Sequence, residues 1–160
     1  MNKHKKVIIF DIDGTLADIS HRVHFIEGEK KDWESFYEKM EDDKPIEAGL
    51  TLMNALFSYG HYVDKNIEIV FCTGRPEKYR PQTSEWLYNN VRFLPFMRQA
   101  NLLMRIDGDH RSDVEVKKEM LDCIRKTGYE VIMAIEDRKR VVDMWRESGV
   151  PCFQCAQGEF

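Results

Sequence analysis

Short apolar runs that end abruptly in polar residues are the feature that most constrains how this chain can fold. The runs VIIF at 7–10, IEIVFC at 67–72 and VIMAI at 131–135 are nearly continuous in apolar residues. Continuous runs of this length favour parallel strands that are buried on both faces of a sheet. With weaker candidates at 102–105 and 152–154, the sequence predicts five strands.

Amphipathic segments separate these strands. Pro81 suits the first turn of a helix that reaches about Asn90. Apolar residues recur at helical spacing in four further stretches: Trp33, Phe36, Tyr37 and Met40; Leu50, Met53, Leu56 and Phe57; Val116, Met120, Leu121 and Ile124; Val141, Val142, Met144 and Trp145. We assign these aromatic and methionine side chains to the core. The alternation predicts an α/β fold, a Rossmann-like three-layer arrangement around a parallel sheet.

Length and composition fit one domain over residues 1–160, with 42% hydrophobic and 32% charged residues. The segment at about 18–45 interrupts the alternation, because it is charged, contains one predicted helix and ends in the turn-like sequence DDKP. Since it follows the first strand, we expect a small lid or cap inserted there. No internal repeat or low-complexity linker is present, which favours one domain with one modest insertion.

Charge and hydropathy exclude several classes of protein. The formal net charge of −4 argues against sequence-independent clamping of a duplex, although a local basic pocket could still hold one phosphate group or a chain end. No apolar run of about 18 residues is present, and the apolar stretch after MNKHKK is too short for a signal peptide. We therefore expect a cytoplasmic protein that does not bind membranes.

The four cysteines are expected to be reduced thiols in that compartment. Cys152 and Cys155 have the C-x-x-C spacing of zinc and redox sites. On a strand, however, positions three apart point to opposite faces, and no second pair completes a four-ligand set. The sequence therefore disfavours structural zinc.

The first motif with chemical content is FDIDGT at 10–15, directly after the first strand. Gly14 permits a tight reversal, and the carboxyl ends of parallel strands are where ligands bind. A turn alone would explain Gly14 and one aspartate. Two carboxylates at Asp11 and Asp13 repel each other and require a cation, and hard oxygen ligands favour Mg²⁺.

Three further motifs each have an ordinary structural alternative. Thr73, Gly74 and Arg75 can hold phosphate oxygens, but TGR alone is weak evidence. Asp113 and Lys117 suit a helix start, where a lysine reaches a phosphate or merely forms an ion pair. Glu136 and Asp137 could complete a metal cage or favour a helix dipole. Their order along the chain strengthens the combined interpretation.

These four motifs, in this order, resemble those of the haloacid dehalogenase superfamily of phosphotransferases. The last 28 residues, from MAIEDR to QGEF, resemble the closing segment of the 3′-phosphatase domain of the bacteriophage polynucleotide kinase–phosphatase. Arg22, eleven residues after Asp11, and Arg105, twelve before Lys117, match arginines of that phosphatase site, and Asp113 also matches. The similarity covers almost the whole chain apart from the insertion.

The resemblance implies hydrolysis of phosphomonoesters through an aspartyl-phosphate. Asp11 would be the nucleophile, and Asp13 would be first general acid and then general base. Mg²⁺ would be held by Asp11, the backbone carbonyl of Asp13 and Asp137. Thr73 and Lys117 would bind the phosphoryl oxygens. Asp113 would orient Lys117, and the substrate would be contacted by Gly74, Arg22, Arg75 and Arg105.

The substrate implied is a phosphorylated nucleic-acid 3′ end or a nucleotide. The sequence departs from the phage pattern at Glu136, whose longer side chain could act on the metal through water, and in the longer insertion. A G-x-x-x-x-G-K loop followed by Ser or Thr is absent, so we expect a phosphatase without the companion kinase. A 5′(3′)-nucleotidase or small-metabolite phosphatase remains an alternative. A non-catalytic end-binding module should have lost Asp11, Asp13 or Lys117.

Overall fold

The computed structural model describes residues 5–92 and 101–158, and a parallel sheet of five strands lies at its centre. In spatial order these strands are β5 (Leu102–Arg105), β4 (Ile67–Pro76), β1 (Lys6–Phe10), β6 (Glu130–Arg138) and β7 (Cys152–Gly158). Two short strands, β2 (Ala17–Asp18) and β3 (Lys44–Pro45), form a separate antiparallel pair. The predicted α/β class with a parallel central sheet is confirmed.

Helices cover both faces of the sheet. One face packs against α4 (Asp113–Lys126) and α5 (Lys139–Glu147), and the other against α2 (Glu47–Tyr62) and α3 (Arg80–Asn90). The central strand β1 sends alternate side chains to the two cores, with Ile9 on one face and Ile8 on the other. This is why its run is apolar without interruption. Among the described residues, each helix is too short or too polar to span a membrane.

Three strands run further than the apolar runs indicate. β4 continues through Thr73 to Pro76, β6 continues to Arg138 and β7 to Gly158. In each case pairing resumes after an irregularity, with Pro76 opposite Arg105 and Arg138 opposite Gly158. The TGR motif and the Glu136–Asp137 pair therefore lie within strand ends, and strand pairing resumes just beyond each of them. The four cysteines, Cys72, Cys123, Cys152 and Cys155, are free in this structure.

The insertion is closed at its base by the pair β2 and β3, with Ala17 opposite Pro45. Between them lie two short 3₁₀ helices, Val23–Phe25 and Met40–Asp42, and the helix α1 (Trp33–Glu38). Ile19, Ile26 and Phe36 form a small core of their own. The assignment of Trp33 to the core is wrong, because 43% of this residue is exposed. The single domain over 1–160 with a lid at 18–45 stays a prediction.

Close packing of α2 against the loop after β1 supports the site from behind. Gly49, in the first turn of α2, is buried, and a Cβ placed on it would lie only 2.1 Å from the backbone carbonyl oxygen of Thr15. That oxygen belongs to main chain which cannot rotate away as a side chain could. Gly49 therefore lets α2 approach the loop that carries Asp11 and Asp13.

We expect Gly49→Ala to lower the free energy of unfolding by about 1–3 kcal/mol, because the added methyl group forces α2 and the loop apart. Urea denaturation followed by circular dichroism measures the change. Thr51→Ala, at an exposed position of the same helix, is the control and should stay within about 0.5 kcal/mol of the unaltered protein. Equal stability of the two variants would contradict this packing.

Candidate active site

The candidate site lies where the carboxyl ends of β1, β4 and β6 meet at one edge of the sheet. Asp11 directly follows β1, and its backbone N–H donates to the carbonyl oxygen of Ile135 at 3.0 Å. Gly14 has a φ of +82°, a conformation that L side chains rarely adopt, so the chain reverses sharply here. The side chains of Asp11 and Asp13 consequently face one cavity.

A buried lysine joins the ends of β1 and β6. The Lys117 ammonium donates to Asp11 Oδ1 at 2.6 Å and to Glu136 Oε2 at 2.7 Å. A capping box between Ser112 and Glu115 starts α4, which places Lys117 one turn into the helix with its side chain directed back to the site. Burial opposes the charged ammonium, but Asp11 and Glu136 outweigh it and raise the pKa of Lys117.

Three carboxylates cluster beside Lys117. One oxygen each of Asp11, Glu136 and Asp137 lies within 4.8 Å of the other two. Burial and the charge of Glu136 raise the pKa of Asp11 to about 7, and burial and the charge of Asp11 raise the pKa of Asp137 to about 6. Burial also raises the pKa of Glu136. One ammonium does not balance this cluster, and its hard oxygen donors fit a divalent cation such as Mg²⁺.

Two glycines leave the space that the Asp137 carboxylate occupies. A Cβ on Gly14 would lie 2.2 Å from Asp137 Oδ2, and one on Gly158 would lie 2.0 Å from the same atom. Gln154 Nε2 donates to the Asp137 carbonyl oxygen at 3.0 Å. The strand β7 thus positions Asp137, a candidate metal ligand that belongs to β6.

Asp13 lies apart from the acidic cluster and is bound by two arginines. Arg22 Nη2 donates to Asp13 Oδ1 at 2.7 Å, and Arg75 Nη2 donates to the same oxygen at 2.6 Å. Burial alone would raise the pKa of Asp13, but the guanidinium groups of Arg75 and Arg22 outweigh it and hold the pKa well below its usual range. Both arginines, predicted to contact the substrate, are fully buried behind Asp13.

Asp43, from the insertion, completes this arginine cluster. Its carboxylate accepts from Arg22 Nε at 2.6 Å and from Arg75 Nη2 at 2.8 Å. Trp86 Nε1 in α3 donates to the Asp43 carbonyl oxygen at 2.8 Å, which ties the end of the insertion to the body of the fold. Two carboxylates face two guanidiniums, so this cluster is balanced in charge.

The end of β4 forms the opposite wall. The backbone N–H of Arg75 donates to Thr73 Oγ1 at 3.2 Å, and Arg105 Nε donates to the Gly74 carbonyl oxygen at 2.9 Å. A Cβ on Gly74 would lie 2.7 Å from Asp113 Oδ1, so a side chain here would require the Asp113 carboxylate to shift. Arg105 connects the end of β4 to Asp113, because its guanidinium also donates to that carboxylate.

Asp113 was predicted to orient Lys117. Its carboxylate accepts hydrogen bonds from Arg105 and Arg138, while Lys117 bonds to Asp11 and Glu136. The pKa of Asp113 is lowered because Arg138 and Lys117 together outweigh its burial. Asp113 therefore acts on Lys117 through space, by charge, and directly on the two arginines.

The cavity in front of these groups has a volume of about 560 Å³. Asp11, Asp13, Lys117 and Asp137 lie in its lining. Its outer walls come from the insertion, through Trp33, Glu34, Phe36 and Tyr37, and from the loop after β5, through residues 106–112. The insertion therefore forms part of the wall of this cavity.

Sequence reasoning missed three residues of the site. Asp43 lies in DDKP, a turn-like sequence that gives no sign of a buried carboxylate. Arg138 directly follows Glu136 and Asp137, and nothing in the sequence paired it with Asp113. Tyr37 was assigned to the core, yet its hydroxyl donates to the Gly74 carbonyl oxygen at 3.3 Å.

Comparison with known proteins identifies the family. The profile of the polynucleotide kinase PNKP phosphatase domain matches residues 5–160. A chain in the "Structure of the Pnkp1/Rnl/Hen1 RNA repair complex" is 27% identical with a TM-score of 0.78, covering 100% of this chain and 45% of that one. A chain in the "Structure of Pnkp1/Rnl/Hen1 complex" is 27% identical with a TM-score of 0.76, covering 98% and 47%.

This chain therefore spans about half the length of the chains it matches in those complexes. The class C acid phosphatase from Bacillus anthracis, solved with tungstate bound, shares the fold at 14% identity with a TM-score of 0.65, covering 99% of this chain and 70% of that one. The resemblance in the sequence is thus confirmed. The chain belongs to the polynucleotide kinase PNKP phosphatase-domain family and is a phosphatase of the haloacid dehalogenase superfamily.

Proposed function

We propose that this phosphatase uses Mg²⁺ and an aspartyl-phosphate on Asp11 to remove phosphate from nucleic-acid 3′ ends. The observation that carries this proposal is the buried cluster of Asp11, Glu136 and Asp137 around Lys117 in a chain whose family match covers residues 5–160. Family membership supports hydrolysis of phosphomonoesters in general. The acidic cluster supports Mg²⁺ as the cofactor, and the relatives support a nucleic-acid substrate.

In the first step an Asp11 carboxylate oxygen attacks phosphorus, and the bond from phosphorus to the ester oxygen breaks. Lys117 holds Asp11 in position and presents positive charge to the phosphoryl oxygens. Mg²⁺ bound by the acidic cluster would reduce the repulsion between the nucleophile and the phosphate dianion. In the second step water attacks the same phosphorus, which releases Asp11 and inorganic phosphate.

Asp13 is the proposed proton carrier between these steps. It donates a proton to the departing hydroxyl oxygen and later accepts one from the attacking water. In the substrate-free site Arg22 and Arg75 keep Asp13 ionised. A phosphate dianion that enters the cavity opposes this effect, because negative charge beside a carboxylate raises its pKa. Substrate binding would therefore raise the pKa of Asp13, so that Asp13 takes up a proton that it can then donate to the departing oxygen.

The substrate class comes from the relatives and from the shape of the site. One similar chain belongs to the Pnkp1/Rnl/Hen1 RNA repair complex, and the family is that of polynucleotide kinase phosphatase domains. The cavity of about 560 Å³ is bordered by the short insertion and by the loop after β5. Such a site suits the end of a chain, and we propose phosphorylated 3′ ends of RNA or DNA.

We expect Asp11→Asn to lower phosphate release from a 3′-phosphorylated oligonucleotide by about a thousandfold or more, because the amide is not a nucleophile. Asp122→Asn, at an exposed position of α4, is the control and should keep full activity. Release of inorganic phosphate in Mg²⁺ buffer is measured for 3′-phosphorylated and 5′-phosphorylated oligonucleotides of RNA and DNA, mononucleotides and a sugar phosphate.

Full activity of Asp11→Asn would show that the nucleophile is another group. Much faster hydrolysis of mononucleotides or sugar phosphates than of 3′-phosphorylated oligonucleotides would refute the proposed substrate. That result would favour the nucleotidase or small-metabolite alternative and would leave the reaction class intact.

Metal binding should depend on pH. Without metal, Asp11 and Asp137 ionise at about 7 and 6 in the folded protein, well above the ordinary value of 3.8. The folded state therefore binds more protons than the unfolded state between about pH 4 and 7, and stability falls as pH rises through that window. Mg²⁺ should reverse this loss, because it binds the ionised carboxylates.

We accordingly expect Mg²⁺ to raise the Tm more at pH 8 than at pH 5.5, as measured by differential scanning calorimetry with and without EDTA. Asp137→Asn should abolish most of this difference, and Asp122→Asn should preserve it. A Mg²⁺-induced rise in Tm that is the same at both pH values would count against the acidic cluster as the metal site.

Asp43→Asn tests the arginine cluster behind Asp13. The change leaves two buried guanidiniums with one carboxylate, so we expect the free energy of unfolding to fall by about 3 kcal/mol. Phosphate release should fall at least about tenfold, because both arginines then act on Asp13 alone and hinder its protonation. Asp42→Asn, the exposed neighbour, is the matched control for both measurements. Unchanged activity of a stably folded Asp43→Asn protein would remove Asp43 from the mechanism.

A further inference from the structure

A row of aromatic rings lines the cavity from the end of β4 outward. Tyr37 is anchored at the end of β4, where its hydroxyl donates to the Gly74 carbonyl oxygen at 3.3 Å. The Trp33 ring stacks beside it, with centroids 6.0 Å apart and planes 24° apart. The Tyr79 ring is also next to Tyr37, with centroids 5.3 Å apart. All three residues line the cavity that contains Asp11.

Trp33 packs against its neighbours although it is exposed. Its ring lies edge-on to Phe36 at 5.8 Å, and Phe36 belongs to the small core of the insertion. Asp32 caps α1, the helix that begins at Trp33, by accepting from the Ser35 backbone N–H at 3.0 Å. An indole that is packed on one side and still 43% exposed presents an apolar surface at the cavity.

Lysines lie beside this aromatic row. Lys31 Nζ is 5.6 Å from the Trp33 ring centroid, and Lys78 Nζ is 4.8 Å from that of Tyr79. Aromatic rings interleaved with cations are the features by which proteins bind single-stranded nucleic acid, since bases stack on rings and phosphates meet cations. Glu34 and Asp107 line the same cavity, which disfavours the second phosphate backbone of a duplex.

We propose that Trp33 is a stacking platform for a nucleobase of a single strand whose terminal 3′-phosphate lies at Asp11. This inference rests on the proposed function and adds a residue that determines specificity. The base would stack on the exposed part of the indole, while the lysines meet the strand's phosphates. Trp33 would thereby distinguish a strand end from a phosphate ester that has no base.

The test compares two substrates that carry the same charge. One is a single-stranded oligonucleotide with a 3′-phosphate, and the other is the same strand with its two 3′-terminal nucleotides abasic. We expect the unaltered enzyme to favour the first by about tenfold in kcat/KM, mainly through KM. Trp33→Ala should remove this preference by lowering kcat/KM on the first substrate alone. Trp33→Phe, which keeps a ring, should retain most of it.

Tyr88→Ala is the control, because Tyr88 is an exposed aromatic residue on α3 that does not line the cavity. It should behave as the unaltered enzyme on both substrates. An equal loss on both substrates in Trp33→Ala would show that Trp33 only shapes the lid and would overturn the proposal. Unchanged activity of Trp33→Ala on both substrates would also overturn it.

Fluorescence gives a readout that does not require turnover. Trp86 and Trp145 are 4% and 1% exposed, so Trp33 is the tryptophan of this chain that a base can reach. Titration with a 3′-hydroxyl oligonucleotide should quench emission, and the abasic strand should not. Base-dependent quenching without hydrolysis of the 3′-phosphate would refute the proposed function and support the platform. Hydrolysis without quenching would refute the platform alone.

Discussion

Lys117 lies between Asp11 and Glu136, and this buried contact links the helix α4 to the ends of two strands. With Asp137 nearby, three carboxylates face one ammonium, a net charge of −2 when all are ionised. Burial makes that excess costly, which is why the pKa values of Asp11 and Asp137 rise to about 7 and 6. A divalent cation bound among these carboxylates would lower the free energy cost of the buried negative charge. The cluster therefore favours binding of the metal that we propose.

The second cluster of buried charge is balanced. Together the two clusters explain why the pKa values of Asp11 and Asp13, two positions apart, shift in opposite directions. Asp13 and Asp43 face Arg22 and Arg75, two charges against two. Asp11 is therefore short of positive charge, while Asp13, two residues away, lies in a cluster whose two guanidiniums balance its charge and that of Asp43. These opposite environments suit the two roles that we propose. Asp11 attacks phosphorus as the nucleophile, and the protonation of Asp13 depends on the arriving phosphate.

The sequence predicted what depends on local pattern and missed what depends on distant partners. Asp11 could be recognised because it directly follows the apolar strand β1, and Lys117 because it lies near the start of α4, whose apolar pattern begins at Val116. Asp43 could not, since its partners lie 21 and 32 residues away and DDKP satisfies the ordinary rules for a turn. Trp33 was misassigned because helical spacing identifies the face of a helix and does not show whether a small insertion can cover that face.

In the proposed mechanism the insertion contributes to proton transfer as well as to the wall of the cavity. Its inner end supplies Asp43, which binds the two arginines that contact Asp13, and its helix α1 supplies Tyr37, whose hydroxyl donates to the Gly74 carbonyl oxygen at the end of β4. The β2 and β3 pair ties both ends of the insertion to the turn after Asp13, since the Ile46 backbone N–H donates to the Leu16 carbonyl oxygen at 2.8 Å. If Asp13 carries the proton as we propose, an insertion of another length would alter the pKa of Asp13 along with the shape of the cavity. We therefore expect changes of substrate and changes of rate to arise together when this insertion varies.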